Sequence, residues 1–225
     1  GKKRRRVTFD QALRRPGGLF VTFEGVEGAG KTTRSAALAG SLRSIGFEVV
    51  HTREPGGPPL AEAIRRLLLD PSLEIPTAAE LMLYLASRAS NVEHIVRPAL
   101  AAGGVVICER FNDATTAYQA AGRGLDREFV ESACSFATGG LEPDLTVLLD
   151  LDPAEGMARL DSRPGGPDRI EREDLAFHAR VREEYLSLAR RHRRFRVLDA
   201  SLPGCEIDGI VLGLVEEALR VKEST

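Results

Sequence analysis

Apolar residues gather along this chain in short runs that stop abruptly at glycine or polar residues. Leu19-Phe20-Val21-Thr22-Phe23 follows Pro16-Gly17-Gly18 and ends in a glycine-rich stretch, as a strand buried on both faces does. Phe47–Thr52, Val105–Cys108, Leu145–Leu149 and Phe195–Leu198 read as further strands, with helical sequence between them. A helix is expected from about Lys31 to Ile45, stopped by Gly46. Thr77-Ala78-Ala79-Glu80 has the spacing of a capping box, and Asp152-Pro153 places an N-cap before proline at the first helical position. Strands alternating with helices predict an α/β fold with a mostly parallel sheet and helices on both faces. Such sheets bind ligands beyond the carboxyl ends of their strands. The chemistry is therefore expected just after Phe23, Thr52, Cys108 and Asp150.

Composition narrows the class without changing this picture. With 225 residues, 43% hydrophobic and 28% charged, the chain suits one domain with one sizeable core, and a disordered or fibrous protein is excluded. Cys108, Cys134 and Cys205 are odd in number and widely spaced, so reduced thiols and no thiolate metal site are expected. No apolar run approaches the roughly 18 residues of a membrane span, and no apolar signal core follows the first charges, so the reading is a soluble cytoplasmic protein. Net charge is −2, but residues 1–15 hold seven Lys or Arg and one acid, Asp10, leaving 24 basic and 32 acidic residues in the remainder. Residues 1–17 read as a basic, solvated tail rather than a nucleic-acid patch, and residues 18–225 as one domain. Arg190-Arg191-His192-Arg193-Arg194 reads as a solvated helix end whose cations complement the dipole.

Directly after the first strand, Gly25-Val26-Glu27-Gly28-Ala29-Gly30-Lys31-Thr32 matches G-x-x-x-x-G-K-[ST] in strand-loop-helix context. Glycines let backbone N–H groups curl round a polyphosphate, Lys31 supplies a positive charge, and the Thr32 hydroxyl is a ligand for Mg²⁺. A nucleoside triphosphate is the expected ligand, held by Gly25, Val26, Glu27, Gly28, Ala29, Gly30, Lys31, Thr32 and Thr33. The chain has neither N-K-x-D nor D-x-x-G, which argues against a GTPase switch.

Other segments fall at the same end of the sheet. Thr52-Arg53-Glu54-Pro55-Gly56-Gly57 offers a guanidinium for a phosphate, or is a surface turn. Glu109-Arg110-Phe111 adds a carboxylate suited to Mg²⁺ and a second arginine. Tyr84 and Arg88, four residues apart, share a helix face that suits a flat base, or are packing residues.

Together with Ala117-Tyr118-Gln119, Gly122-Arg123-Gly124-Leu125, Pro143-Asp144-Leu145-Thr146 and Asp168-Arg169-Ile170-Glu171, these segments resemble the ordered motifs of thymidylate kinases, over about residues 18–220. That resemblance implies a P-loop NTPase three-layer fold with a five-stranded parallel sheet and a short lid at about 159–172. It implies phosphorylation of dTMP by ATP with Mg²⁺, in a homodimer. Carried across residue by residue, it makes Glu27, Lys31 and Arg110 catalytic, with Arg163 and Arg169 as candidate lid arginines, while Arg159 and Arg172 read as solvated. Arg53 and Arg110 would hold the dTMP phosphate, Tyr84 stack on thymine, Arg88 and Thr115 contact the base, and Tyr118 lie against the deoxyribose with Gln119 beside it. Thr32 and Glu109 would serve the metal, although Glu109 is one methylene longer than the family's usual Asp. The alternatives are a kinase for another nucleoside monophosphate and a P-loop ATPase associated with nucleic acid.

Overall fold

The computed structural model describes residues 18–161 and 166–223. Five parallel strands, β1 (Leu19–Glu24), β2 (Val49–Arg53), β3 (Val105–Glu109), β4 (Leu145–Asp150) and β5 (Phe195–Asp199), lie in the order β2-β3-β1-β4-β5. β1 is central, and all six of its residues are buried, which explains its unbroken apolar character. Its side chains alternate: Leu19, Val21 and Phe23 join the larger core cluster, while Phe20 packs with Val106, Cys108 and Phe111 in another. The second strand starts at Val49 rather than Phe47, which instead packs against the core ahead of it.

Helix α1 (Lys31–Ser44) follows the loop after β1, and α2 (Pro59–Leu69) follows the Pro-Gly-Gly turn. α3 (Thr77–Asn91) runs through a π-helical turn at Val92–Val96 into α4 (Arg97–Ala101). After β3, α5 (Asn112–Thr115) passes into a second π-helical segment, Thr116–Gly122, and then comes α6 (Arg127–Thr138). The chain ends with α7 (Pro153–Asp161), α8 (Leu175–Arg191) and α9 (Gly204–Glu223).

The two expected helix starts fare differently. Asp152 caps α7 as expected, its Oδ1 accepting from the Ala154 N–H at 2.9 Å. Thr77-Glu80 forms no capping box: Pro76 is the N-cap, no side chain caps α3, and Glu80 is buried among other partners. The 190–194 cluster is likewise only partly solvated, because Arg194 donates to both oxygens of Asp113, at 2.7 and 2.8 Å, and to the Thr146 hydroxyl. Cys108 and Cys134 are buried free thiols, and Cys205 is exposed.

Candidate active site

The carboxyl ends of β1, β2 and β3 open into a cleft of about 610 Å³, walled on the far side by α3, the second π-helical segment, and Arg159, Leu160, Asp168, Ile170 and Glu171. At one end lies the glycine loop. Gly25, Gly28 and Gly30 have φ of 139°, 72° and 90°, and a Cβ at Gly28 would stand 2.2 Å from the Gly156 carbonyl oxygen of α7. Glycine is required there by space as well as by conformation. Gly30 is the N-cap of α1 and contributes no side-chain bond, so the first N–H groups of the helix and its positive dipole end face the cleft uncapped.

Lys31 Nζ donates to the carbonyls of Gly25 and Val26 at 2.9 and 2.7 Å. Burial, reinforced by the neighbouring Arg110 charge, pulls its pKa down to about 7. Thr32 Oγ1 donates to Glu109 Oε2 at 2.7 Å, and Ser35 and His51 stand 3.1 and 3.2 Å from Oε1. Burial works against the charged form of Glu109, but these three partners outweigh it and hold the carboxyl below its ordinary value. The longer side chain thus reaches the Thr32 hydroxyl. Among the described residues there is no cluster of three or more metal-ligating side chains. One hydroxyl and one carboxylate, both hard oxygen donors at the phosphate loop, fit Mg²⁺, which draws its other ligands from phosphate and water.

Arg110, at the middle of the cleft, adopts a left-handed φ of 68°. Two bonds to β1 hold it so: its own N–H reaches the Phe23 carbonyl at 2.9 Å, and the Phe111 N–H reaches Glu24 Oε1 at 2.7 Å. The turn aims Arg110 Nη2 at Glu27 Oε1, 2.6 Å away, with the guanidinium 4.7 Å over the Tyr118 ring. The Tyr118 hydroxyl donates to the same Glu27 oxygen at 2.6 Å, and His178 Nδ1 stands 3.1 Å from the other. Burial opposes the charge on Glu27, but Arg110, His178 and Lys31 outweigh it, so the group is firmly ionised. Arg53 is half-exposed on the cleft wall and donates to Glu62 at 3.2 Å.

At the other end, Tyr84 lines the cleft and Arg88 is 1% exposed. Arg88 Nε donates to Glu54 Oε2 at 2.6 Å, Nη1 to Thr115 Oγ1 at 2.7 Å and Nη2 to the Phe111 carbonyl at 2.9 Å. Asn91 holds the second Glu54 oxygen at 3.1 Å. Gln119 lies beside Thr115 on the cleft wall and donates from Nε2 to Glu80 Oε1 at 2.9 Å.

Of the lid candidates, Arg163 lies outside the described residues. Arg169 is turned away from the cleft, donating to the Leu68 carbonyl at 2.8 Å and ion-pairing with Glu80 at 2.6 Å. Arg159, read from the sequence as solvated, lines the cleft and reaches the Gly28 carbonyl at 3.3 Å. The structure adds Arg65 to the cleft, gives Asp168, quoted above only as part of a motif, a place in its lining, and adds the supporting groups Glu24, Glu54, Glu80 and His178. Asp168 and Glu54 carried a signal in the sequence, each being an acid inside a quoted motif.

A parallel sheet carrying a glycine loop and helix N-terminus at one end of a cleft, with an aromatic and polar wall at the other, defines a P-loop NTPase of the nucleotide-phosphorylating kind. Comparison with known proteins gives the particular family. The family model "Thymidylate kinase" matches residues 23–208. The thymidylate kinase of Deinococcus radiodurans is 50% identical over 201 residues, 89% of this chain and 97% of that protein. The thymidylate kinase of Trichlorobacter lovleyi is 47% identical over 210 residues, 90% of this chain and 99% of that protein. The crystal structure of thymidylate kinase from Ehrlichia chaffeensis superposes with a TM-score of 0.74 at 31% identity, over 89% of this chain and all of that one. The chain belongs to the thymidylate kinase family.

Proposed function

We propose that this enzyme transfers the γ-phosphoryl group of ATP to a 5′-phosphate oxygen of dTMP, giving dTDP and ADP. The observation that carries the reading is one continuous cleft with a phosphate-binding loop at one end and a base-sized polar and aromatic wall at the other. ATP phosphates lie on the loop N–H groups and Lys31, and Arg53 and Arg110 receive the dTMP phosphate. In the transfer an oxygen of dTMP forms the new P–O bond as the bond from the γ-phosphorus to the ADP oxygen breaks, with no covalent protein intermediate. Catalysis comes from positioning and charge stabilisation.

Glu27 fixes the Arg110 guanidinium through a 2.6 Å ion pair and, with Tyr118, shapes the sugar site. Mg²⁺, held by Thr32 and Glu109 together with the phosphates, offsets charge on the nucleotide when bound. Tyr84 stacks on thymine, and Arg88, Thr115 and Gln119 contact its polar edge. An arginine of the 159–172 segment, Arg163 or Arg169, faces the transferring group; Arg169 must leave Glu80 to do so. Arg159, which reaches the Gly28 carbonyl of the loop at 3.3 Å, is a third candidate.

The homodimer reading is supported by large apolar side chains left exposed on three helices that pack in succession: Leu60 and Leu67 on α2, Met82 on α3, and Phe129 and Phe136 on α6. A second copy of the chain covers them, and light scattering should return twice the chain's 24.4 kDa. Among the described residues no helix is long and apolar enough to cross a membrane, in keeping with action in the cytoplasm.

The test is ADP release from ATP with each nucleoside monophosphate in turn. Turnover with dTMP far above that with dAMP, dGMP or dCMP is expected. Turnover stimulated by DNA or RNA and not by dTMP would overturn the reading.

A further inference from the structure

Glu80 has the sequence position of a helix cap and a different occupation. It is 1% exposed, and three side chains converge on it through four contacts. Oε1 accepts from Gln119 Nε2 at 2.9 Å and from Arg123 Nε at 3.1 Å. Oε2 accepts from Arg123 Nη2 at 3.2 Å and pairs with Arg169 Nη2 at 2.6 Å. Arg123 therefore grips both oxygens in a fork. Burial opposes the charge on Glu80, but the bonds from Arg123 and Gln119 outweigh it and keep the group a carboxylate. A carboxylate only accepts.

The consequence falls on Gln119. A side-chain amide has one donating and one accepting end, and the two are told apart by their partners. The donating end of Gln119 is committed to Glu80, so its Oε1 faces the other way. Gln119 is 2% exposed and lines the cleft next to Thr115 and Arg88. Among the described residues none donates to this oxygen, and it is not sealed within the core.

We propose that Glu80 is a positioning residue that sets base selection by holding the Gln119 amide with its oxygen toward the base. The site then receives a pyrimidine whose N3 carries a hydrogen, and it opposes cytosine, whose N3 is an acceptor. This rests on the reading of the cleft as a dTMP site. A base that leaves two acceptors facing each other in a buried site loses its hydrogen bond and keeps the desolvation cost.

Glu80→Gln is the informative change. Guanidinium nitrogens of both Arg123 and Arg169 stand at Oε2 and only Arg123 Nε at Oε1, so the carbonyl oxygen stays at the Oε2 position and the new amide nitrogen lies opposite Gln119. Gln119 then turns round and presents its own N–H to the cleft. The ratio of kcat/KM for dTMP to that for dCMP should fall by about tenfold, the worth of one such hydrogen bond. Glu80→Asp, still acceptor-only, should retain most of the preference, which a merely structural role would not distinguish from Gln. Gln119→Leu separates the two layers of the argument. If Gln119→Leu lowers the preference and a folded Glu80→Gln does not, the orienting role of Glu80 is overturned. If neither changes it, Gln119 does not read the base and the proposal falls with that contact. Should Glu80→Gln melt below the assay temperature, amide exchange by NMR in the dTMP-bound wild type carries the test. Protection of a Gln119 side-chain N–H is expected, and exchange of both at the rate of a free amide overturns the proposal.

Discussion

In the proposed site, the groups that hold the ATP phosphates come mostly from one unbroken run, Gly25 to Thr33, largely as backbone N–H groups presented by glycines and a helix N-terminus, with Glu109 joining from β3. At the base end, Tyr84, Arg88, Thr115 and Gln119 come from two separate helical segments, and two of them are aimed by buried carboxylates, Arg88 by Glu54 and Gln119 by Glu80. The first end is specified by local conformation, so its anion site is formed wherever the loop closes. The second is specified by long-range contacts to buried carboxylates, an ion pair at Arg88 and a hydrogen bond at Gln119, whose desolvation must be offset by good geometry, and losing one partner strands the other. Function at the first end is thus separable from stability, and at the second it is not.

The largest effect should show this separation. Lys31→Ala should cut turnover by about a hundredfold or more, since a charge on the transferring phosphates is lost. The melting temperature should hardly move, because the side chain bonds only to loop carbonyls. Turnover within a few-fold of the parent would remove Lys31 from the chemistry.

Arg88→Ala should behave in the opposite way. It leaves Glu54, which is 4% exposed, as a buried carboxylate without its cation, and a loss of about 3–5 kcal/mol of stability is expected in denaturant unfolding. A dTMP defect with unchanged stability would show that the base end does not depend on this pair.

A smaller effect concerns pH. The Lys31 pKa of about 7 lies below its ordinary value because the unliganded site disfavours the ammonium, while polyphosphate favours it. Nucleotide binding should therefore take up a proton. Apparent ATP affinity should weaken above pH 7 by up to about tenfold per pH unit until the raised pKa of the nucleotide-bound state is reached. Calorimetry in buffers of different ionisation enthalpy measures the uptake directly, and none in this range would contradict the depressed pKa.

The contrast between the two ends also governs what could be read from the sequence. All five strands and the order of strand and helix were legible: β1, β3 and β4 are buried apolar runs that stop at glycine or polar residues, and the edge strands β2 and β5, though largely half-exposed or exposed, keep a short apolar, β-branched stretch. The phosphate loop was legible for the same local reason. Glu80 was not: an acid three residues after a threonine carries the spacing of a capping box, and only tertiary contact shows that Arg123, Arg169 and Gln119 claim it instead. Arg194 was likewise read from its neighbours in sequence, whereas its partners Asp113 and Thr146 come from other elements. The left-handed Arg110 carried no glycine signal, since its conformation is held by the Glu24 carboxylate and the Phe23 carbonyl.

The central claim, that one end of the cleft selects dTMP while the other serves ATP, is tested most directly by Tyr84→Ala. Tyr84 lines the cleft and, unlike Arg88, is the hub of no buried ion pair. A lost base stack is worth about 1–3 kcal/mol, so the KM for dTMP should rise by about tenfold or more. The KM for ATP and the melting temperature should stay near those of the parent. An unchanged KM for dTMP, or equal rises for both substrates, would contradict the division of the cleft.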